Sequence, residues 1–130
     1  MARKILIADD EPDVTKILGL RLKAGGYDVV TAQDGEEAIR VAHEEKPDLI
    51  ILDVRMPGKD GYAVFQELRA VEDTKSIPVL FFSALQPEQF EQKAIPLGAN
   101  GFISKSVDPA EILSKIAAVL TKEYAGPLQH

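Results

Sequence analysis

Residues 49–61 read LIILDVRMPGKDG. Four apolar residues, Leu49 to Leu52, run straight into Asp53, and Pro57, Gly58 and Gly61 come at once after it. A short apolar run bounded by turn residues is the pattern of a strand buried on both faces. A carboxylate at the end of such a strand is costly to ionise unless something compensates it. Asp53 therefore either starts the turn, as aspartate commonly does, or is placed there for chemistry.

The sequence around this stretch repeats one alternation. Lys4–Ala8, Asp28–Ala32, Leu49–Leu52, Val79–Phe82 and Gly101–Ser104 read as five short strands. Pro12 opens a first helix, with Val14, Ile17, Leu18 and Leu22 on its apolar face and Gly25-Gly26 as its stop. Asp34 to Glu37 forms a capping box ahead of Ala38, Val41 and Ala42, and Pro47 ends that helix. Val64, Phe65, Leu68 and Val71 carry a third helix, and a Glu- and Gln-rich helix is expected from about Pro87 to Leu97. Asp108-Pro109-Ala110-Glu111 combines a cap, a proline at the first helical position and a glutamate at the third. Ile112, Leu113, Ile116, Ala117 and Leu120 give this last helix its buried face. Five strand–helix units with doubly apolar strands imply an α/β fold, a parallel sheet covered on both sides. Right-handed crossovers lead to a doubly wound five-stranded sheet of order 2-1-3-4-5 with five helices.

Composition narrows the chemistry. A chain of 130 residues suits one hydrophobic core. Without cysteine there is no disulfide, thiolate metal site or cysteine nucleophile, which fits the cytoplasm. No apolar run approaches the roughly 20 residues of a membrane span, and the start, MARKILIADDEP, lacks the apolar core of a signal peptide. The net charge of −6 argues against binding nucleic acid or an anionic membrane, but acidic groups welcome a cation.

In a doubly wound sheet the functional crevice lies at the carboxyl ends of the strands. Asp9, Asp10 and Glu11 come after the first strand, Asp53 after the third, Ser83 after the fourth and Lys105 after the fifth. Two carboxylates about 4 Å apart repel by roughly 4 kcal/mol at an effective dielectric near 20. Such a cluster needs counterions, one from Lys105 and the rest from a hard divalent cation such as Mg²⁺. A carboxylate can also take a phosphoryl group as an acyl phosphate. Each residue alone has a plainer reading: helix-start acids, a turn aspartate, a strand-end hydroxyl, a solvated lysine. Their meeting at one edge of consecutive strands favours the functional one. His43, Glu44-Glu45-Lys46 and Glu72-Asp73 read as surface, and Phe81 and Phe82 as core on opposite faces of their strand.

ADDEP at 8–12, LDVRMPGKDG at 52–61, Ser83-Ala84, AIPLGANGF at 94–102 and Lys105, taken in order, resemble the receiver domains of two-component response regulators over roughly residues 4–121. The resemblance is to chemotaxis-regulator-like members and implies a flavodoxin-like fold. It makes Asp53 the phosphoacceptor, Asp10 a direct ligand of Mg²⁺ (or Mn²⁺) and Asp9 a ligand mainly through water. Arg55 lends its backbone carbonyl to the metal, Lys105 and Ser83 contact the phosphoryl group, and Phe102 stands at the aromatic switch position. The donor it implies is a sensor histidine kinase or a histidine phosphotransfer protein. Output passes to a downstream protein or fused effector through the surface of the Pro87–Leu97 helix, the fifth strand and the last helix, with no direct nucleic acid or membrane contact. The chain is then a phosphoacceptor that assists its own phosphorylation and dephosphorylation, not an enzyme.

Three departures stand out. Ser106 comes after Lys105 where family members often have proline. A cis peptide there would cost about 2.5–4 kcal/mol more than trans, so a different loop is expected. Pro96 should end or kink its helix early, and Phe102 has no hydroxyl, so a switch there works through packing. The other functions in view are a docking module independent of phosphorylation and an aspartate-nucleophile phosphatase. The latter usually carries its nucleophile after the first strand, with a second aspartate two residues on. The expected layout is a receiver domain at 1–121 and a tail or linker start at 122–130. That remainder is too short for an effector domain, which leaves a stand-alone regulator or a receiver cut from a longer protein.

Overall fold

A computed structural model of the chain describes residues 2–84, 101–105 and 108–121. Five strands, β1 (Lys4–Ala8), β2 (Asp28–Ala32), β3 (Leu49–Asp53), β4 (Val79–Ser83) and β5 (Gly101–Ser104), form one sheet in the order β2-β1-β3-β4-β5. All four pairings are parallel. The helices among the described residues are α1 (Pro12–Ala24), α2 (Gly35–Glu45), α3 (Gly61–Arg69) and a C-terminal helix, Pro109–Leu120. The expected Pro87–Leu97 helix, with Pro96, lies outside the described residues, as do Ser106 and the segment 122–130.

Side-chain alternation splits the core in two. Leu6, Ile50, Leu52, Val79 and Phe81 face one side and pack with Ala38, Val41, Val64, Phe65 and Leu68 of α2 and α3. Ile5, Ile7, Leu49, Ile51, Leu80 and Phe82 face the other and pack with Leu18, Leu22, Ile112 and Ile116. Both faces of the central strands are therefore dry, which explains why β3 reads as an unbroken apolar run. Phe81 and Phe82 fall in different halves of the core, as expected.

The helix faces differ in detail from the expectation. Helix α1 buries Thr15, Leu18, Gly19 and Leu22, a regular i, i+3, i+4, i+7 stripe, and leaves Ile17 60% exposed. Thr15 can be inside because its hydroxyl donates to the Pro12 carbonyl at 2.9 Å, a bond that hydropathy alone does not reveal. Val71 lies beyond α3 and is exposed. In the C-terminal helix Ile112, Ile116 and Leu120 are buried, Leu113 is half-buried and Ala117 faces outward. The box at Asp34 forms in modified shape. Asp34 Oδ1 accepts from the Glu37 N–H, but Glu37 reaches back to the Gln33 N–H rather than to that of Asp34.

Two glycines set how the turn after β3 sits. The Gly61 N–H donates to the Val54 carbonyl at 2.7 Å, and a Cβ at Gly61 would collide with the Asp53 carbonyl oxygen and lie 2.9 Å from Val54 Cα. At Gly35, the first residue of α2, a Cβ would come within 2.6 Å of the Lys59 carbonyl oxygen. Both obstacles are backbone that cannot swing aside. Gly61→Ala should therefore destabilise the protein by about 1–3 kcal/mol, the usual range for overpacking; urea denaturation measures this, and an unchanged midpoint would refute the close approach.

Candidate functional site: an acidic cleft with one lysine

The register brings four strand ends together. Asp9 comes directly after β1, Asp53 ends β3, Ser83 ends β4 and Lys105 comes directly after β5. β1 and β3 are neighbours, as are β3 and β4 and β4 and β5. The Lys105 N–H donates to the Ser83 carbonyl at 2.9 Å, which ties the last two strand ends to each other. The result is a cleft of about 290 Å³ lined by Asp10, Glu11, Asp53, Arg55, Ser83 and Lys105. Every polar residue singled out from the sequence for this edge is there. Asp9, fully buried, joins the cleft through its ion pair with Lys105, and Ser83 is buried too.

Charge dominates the cleft. Lys105 Nζ lies 2.9 Å from Asp9 Oδ2, 2.9 Å from Glu11 Oε1 and 3.6 Å from Asp53 Oδ2. Burial alone would lower the lysine pKa, but the ion pair with Asp9, the hydrogen bond to Glu11 and the charge of Asp53 outweigh it and hold the group above its ordinary range. Asp53 is only 4% exposed, and its anion is disfavoured. Burial is the largest cause and the Asp9 charge the next, and together they raise its pKa to about 6 against the relief given by Lys105 and the Arg55 N–H.

Carboxylate oxygens of Asp9, Asp10 and Asp53 lie within 4.8 Å of one another. Asp9 Oδ1 accepts from the Glu11 N–H at 2.9 Å. Its buried Oδ2 meets Lys105 as an ion pair but has no well-aligned hydrogen bond. A hard divalent cation fits this donor set of charged oxygens, one of them buried and without a hydrogen bond.

Phe102 sits apart from the polar cluster. It is half-buried, paired in register with Phe81 and packed on the α2–α3 side of the core. Sequence reasoning gave Glu11 no role of its own, yet it reaches Lys105 from the other end of the chain. The only trace of this in the sequence is its place in the acidic run beside Asp10.

The arrangement defines a doubly wound α/β domain with an acidic crevice at its strand ends. A family model, the response regulator receiver domain, matches residues 5–117, and the chain belongs to that family of phosphorylation-dependent signalling switches. It is 40% identical over 128 residues to the alkaline phosphatase synthesis transcriptional regulatory protein PhoP of Bacillus subtilis, covering 98% of this chain and 52% of that protein. The chain spans about half the length of the curated relatives it matches. Among solved structures it resembles the chemotaxis response regulator CheY4 of Vibrio cholerae (29% identity, TM-score 0.85, covering 92% of this chain and 99% of that one). It also resembles the receiver domain of the sensor histidine kinase PA1611 of Pseudomonas aeruginosa, described with a magnesium ion coordinated in its active-site cleft. That likeness has 27% identity and a TM-score of 0.82, and covers 95% of this chain and 98% of the other.

The raised Asp53 pKa has a consequence for stability. Ionising this carboxyl costs more in the folded chain than in the unfolded one, so its contribution is most favourable below about pH 4 and is lost as pH rises through about 6. In metal-free protein, Asp53→Asn should raise stability at pH 7–8 by on the order of 2 kcal/mol, and the gain should vanish near pH 4. Thermal melts across that range check it; an equal gain at every pH would show that ionisation is not the cause.

Proposed function

We propose that Asp53 is the phosphoacceptor of this receiver and that its donor is a phosphohistidine on a sensor histidine kinase or a histidine phosphotransfer protein. The observation that carries the reading is the meeting of Asp53 with Asp9, Asp10 and Lys105 in one cleft at the strand ends. An Asp53 carboxylate oxygen attacks phosphorus, an O–P bond forms, and the P–N bond of the donor breaks with its electron pair passing to the imidazole. Dephosphorylation is attack by water on the same phosphorus, which returns the carboxylate and inorganic phosphate.

Each neighbour has a part that its chemistry dictates. β3, buried on both faces, is a rigid mount for Asp53, and positioning is most of what phosphoryl transfer asks of a protein. Lys105 supplies a positive charge to a phosphoryl oxygen, and the Ser83 hydroxyl can donate to another. Asp10 and Asp53, the Arg55 carbonyl and, mainly through water, Asp9 would hold Mg²⁺, with Mn²⁺ as a substitute; when bound, the metal would neutralise the carboxylates and the charge on the phosphoryl oxygens. The exposed Arg55 side chain at the rim can meet the phosphoryl group or restrict attacking water. Phe102 repacks against the core as the charge at Asp53 changes. The chain assists its own phosphorylation and dephosphorylation and needs no further catalytic activity.

The receiver occupies residues 1–121, with 122–130 a tail or the start of a linker, and works in the cytoplasm. Among the described residues no helix is long and apolar enough to cross a membrane. Output goes to a downstream protein or a fused effector through β5, the C-terminal helix and the neighbouring segment before β5, without direct nucleic acid contact by this domain. An effector fused in the whole protein accords with the half-length match to the curated relatives.

Intact mass after incubation with acetyl phosphate and Mg²⁺ tests the reading. Wild type should gain one phosphoryl group, the gain should require the metal, and Asp53→Asn should show none. Lys105→Ala should keep Mg²⁺ binding but lose most of the phosphoryl uptake. Uptake that survives in Asp53→Asn would move the acceptor elsewhere, and no uptake under any donor would favour a docking module independent of phosphorylation.

A further inference from the structure

Three of the four described helices begin on an aspartate that caps its own helix. Asp34 accepts from the Glu37 N–H, Asp60 from the Ala63 N–H and Asp108 from the Ala110 N–H. The fourth, α1, begins on Glu11, whose side chain makes no capping hydrogen bond. A glutamate is one methylene longer than the residue that suits this position. Its carboxylate instead reaches Lys105 Nζ at 2.9 Å, across 94 residues of sequence.

The carboxylates around Lys105 are not equivalent. Asp9 is buried and its other oxygen is held by the Glu11 N–H, so it stays with the lysine. Asp53 is the farthest, at 3.6 Å. The Glu11 side chain is 61% exposed and is the partner that can let go. It does not belong to the trio of carboxylates close enough to share a cation. We propose that Glu11 is a positioning residue: it tethers Lys105 at the rim while Asp53 is unphosphorylated, so that a phosphoryl group must win the lysine from it. The proposal rests on the reading of Asp53 as phosphoacceptor. By this device the exposed residue at the head of α1 sets how readily the site commits to its charged state, without touching phosphorus or metal.

Two substitutions separate contact from charge. Glu11→Gln keeps the length and removes the charge; Glu11→Asp keeps the charge, is too short to reach Lys105, and suits the helix start. Neither should lower the melting temperature, because Glu11 is exposed. Beryllofluoride, titrated at saturating Mg²⁺, serves as the phosphoryl mimic. Both variants should bind it about two- to five-fold more tightly than wild type, the range expected for release of one exposed ion pair. In Mg²⁺-free protein without beryllofluoride, acylation of the Lys105 amine, monitored by peptide mass, should be faster in both. If only Glu11→Gln responds, the effect is that of a distant charge and the tether is wrong; unchanged affinity in both variants overturns it as well. Should wild type bind no beryllofluoride, the reading of the cleft has failed, and the labelling rates alone decide whether Glu11 holds Lys105.

Discussion

A parallel sheet with both faces dry leaves one place where polar groups can gather, the edge at which its strands end. That constraint organises the whole domain. β3 contributes five buried residues, and its last, Asp53, has nowhere to turn but the crevice. β1, β4 and β5 end beside it, so the acids, the hydroxyl and the lysine meet without any long excursion of the chain. The helices cover the faces, and the site remains open at the rim.

The electrostatics arise from this crowding. A single ammonium stands among three carboxylates, and Asp53 is the one it serves least well. Asp53 is therefore held in a state that ionises with difficulty, while Lys105 stays charged. A site poised in this way gains from added positive charge, whether from a cation alone or from an incoming group that brings one. The same imbalance that strains the resting fold is what makes the cleft receptive.

Most of this is legible in the sequence, because strand burial and helix alternation leave strong one-dimensional signals. The sheet order, the five strand positions and the strand-end polar set can be read from the apolar runs and the residues just after them. Faces and partners leave weaker traces. Apolar character alone turns Ile17 inward, whereas the helix buries Thr15 through a local hydrogen bond. The pairing of Glu11 with Lys105 joins residues far apart in sequence and depends on side-chain length and direction, which no periodicity records. Likewise, the need for glycine at residue 61 comes from the path of the Asp53 backbone rather than from turn chemistry alone.

Gly35 carries a different kind of consequence. It holds no functional group and lies 18 positions before Asp53, yet a Cβ there would run into the Lys59 backbone in the loop beyond β3. The freedom of this position to drift during evolution is thus limited by a loop remote from it in sequence. A homologue that gained a side chain at that point would have to reroute residues 57–60 in the same lineage. Paired change at these two places, rather than at the acidic residues, would mark the branches in which the loop has been rebuilt.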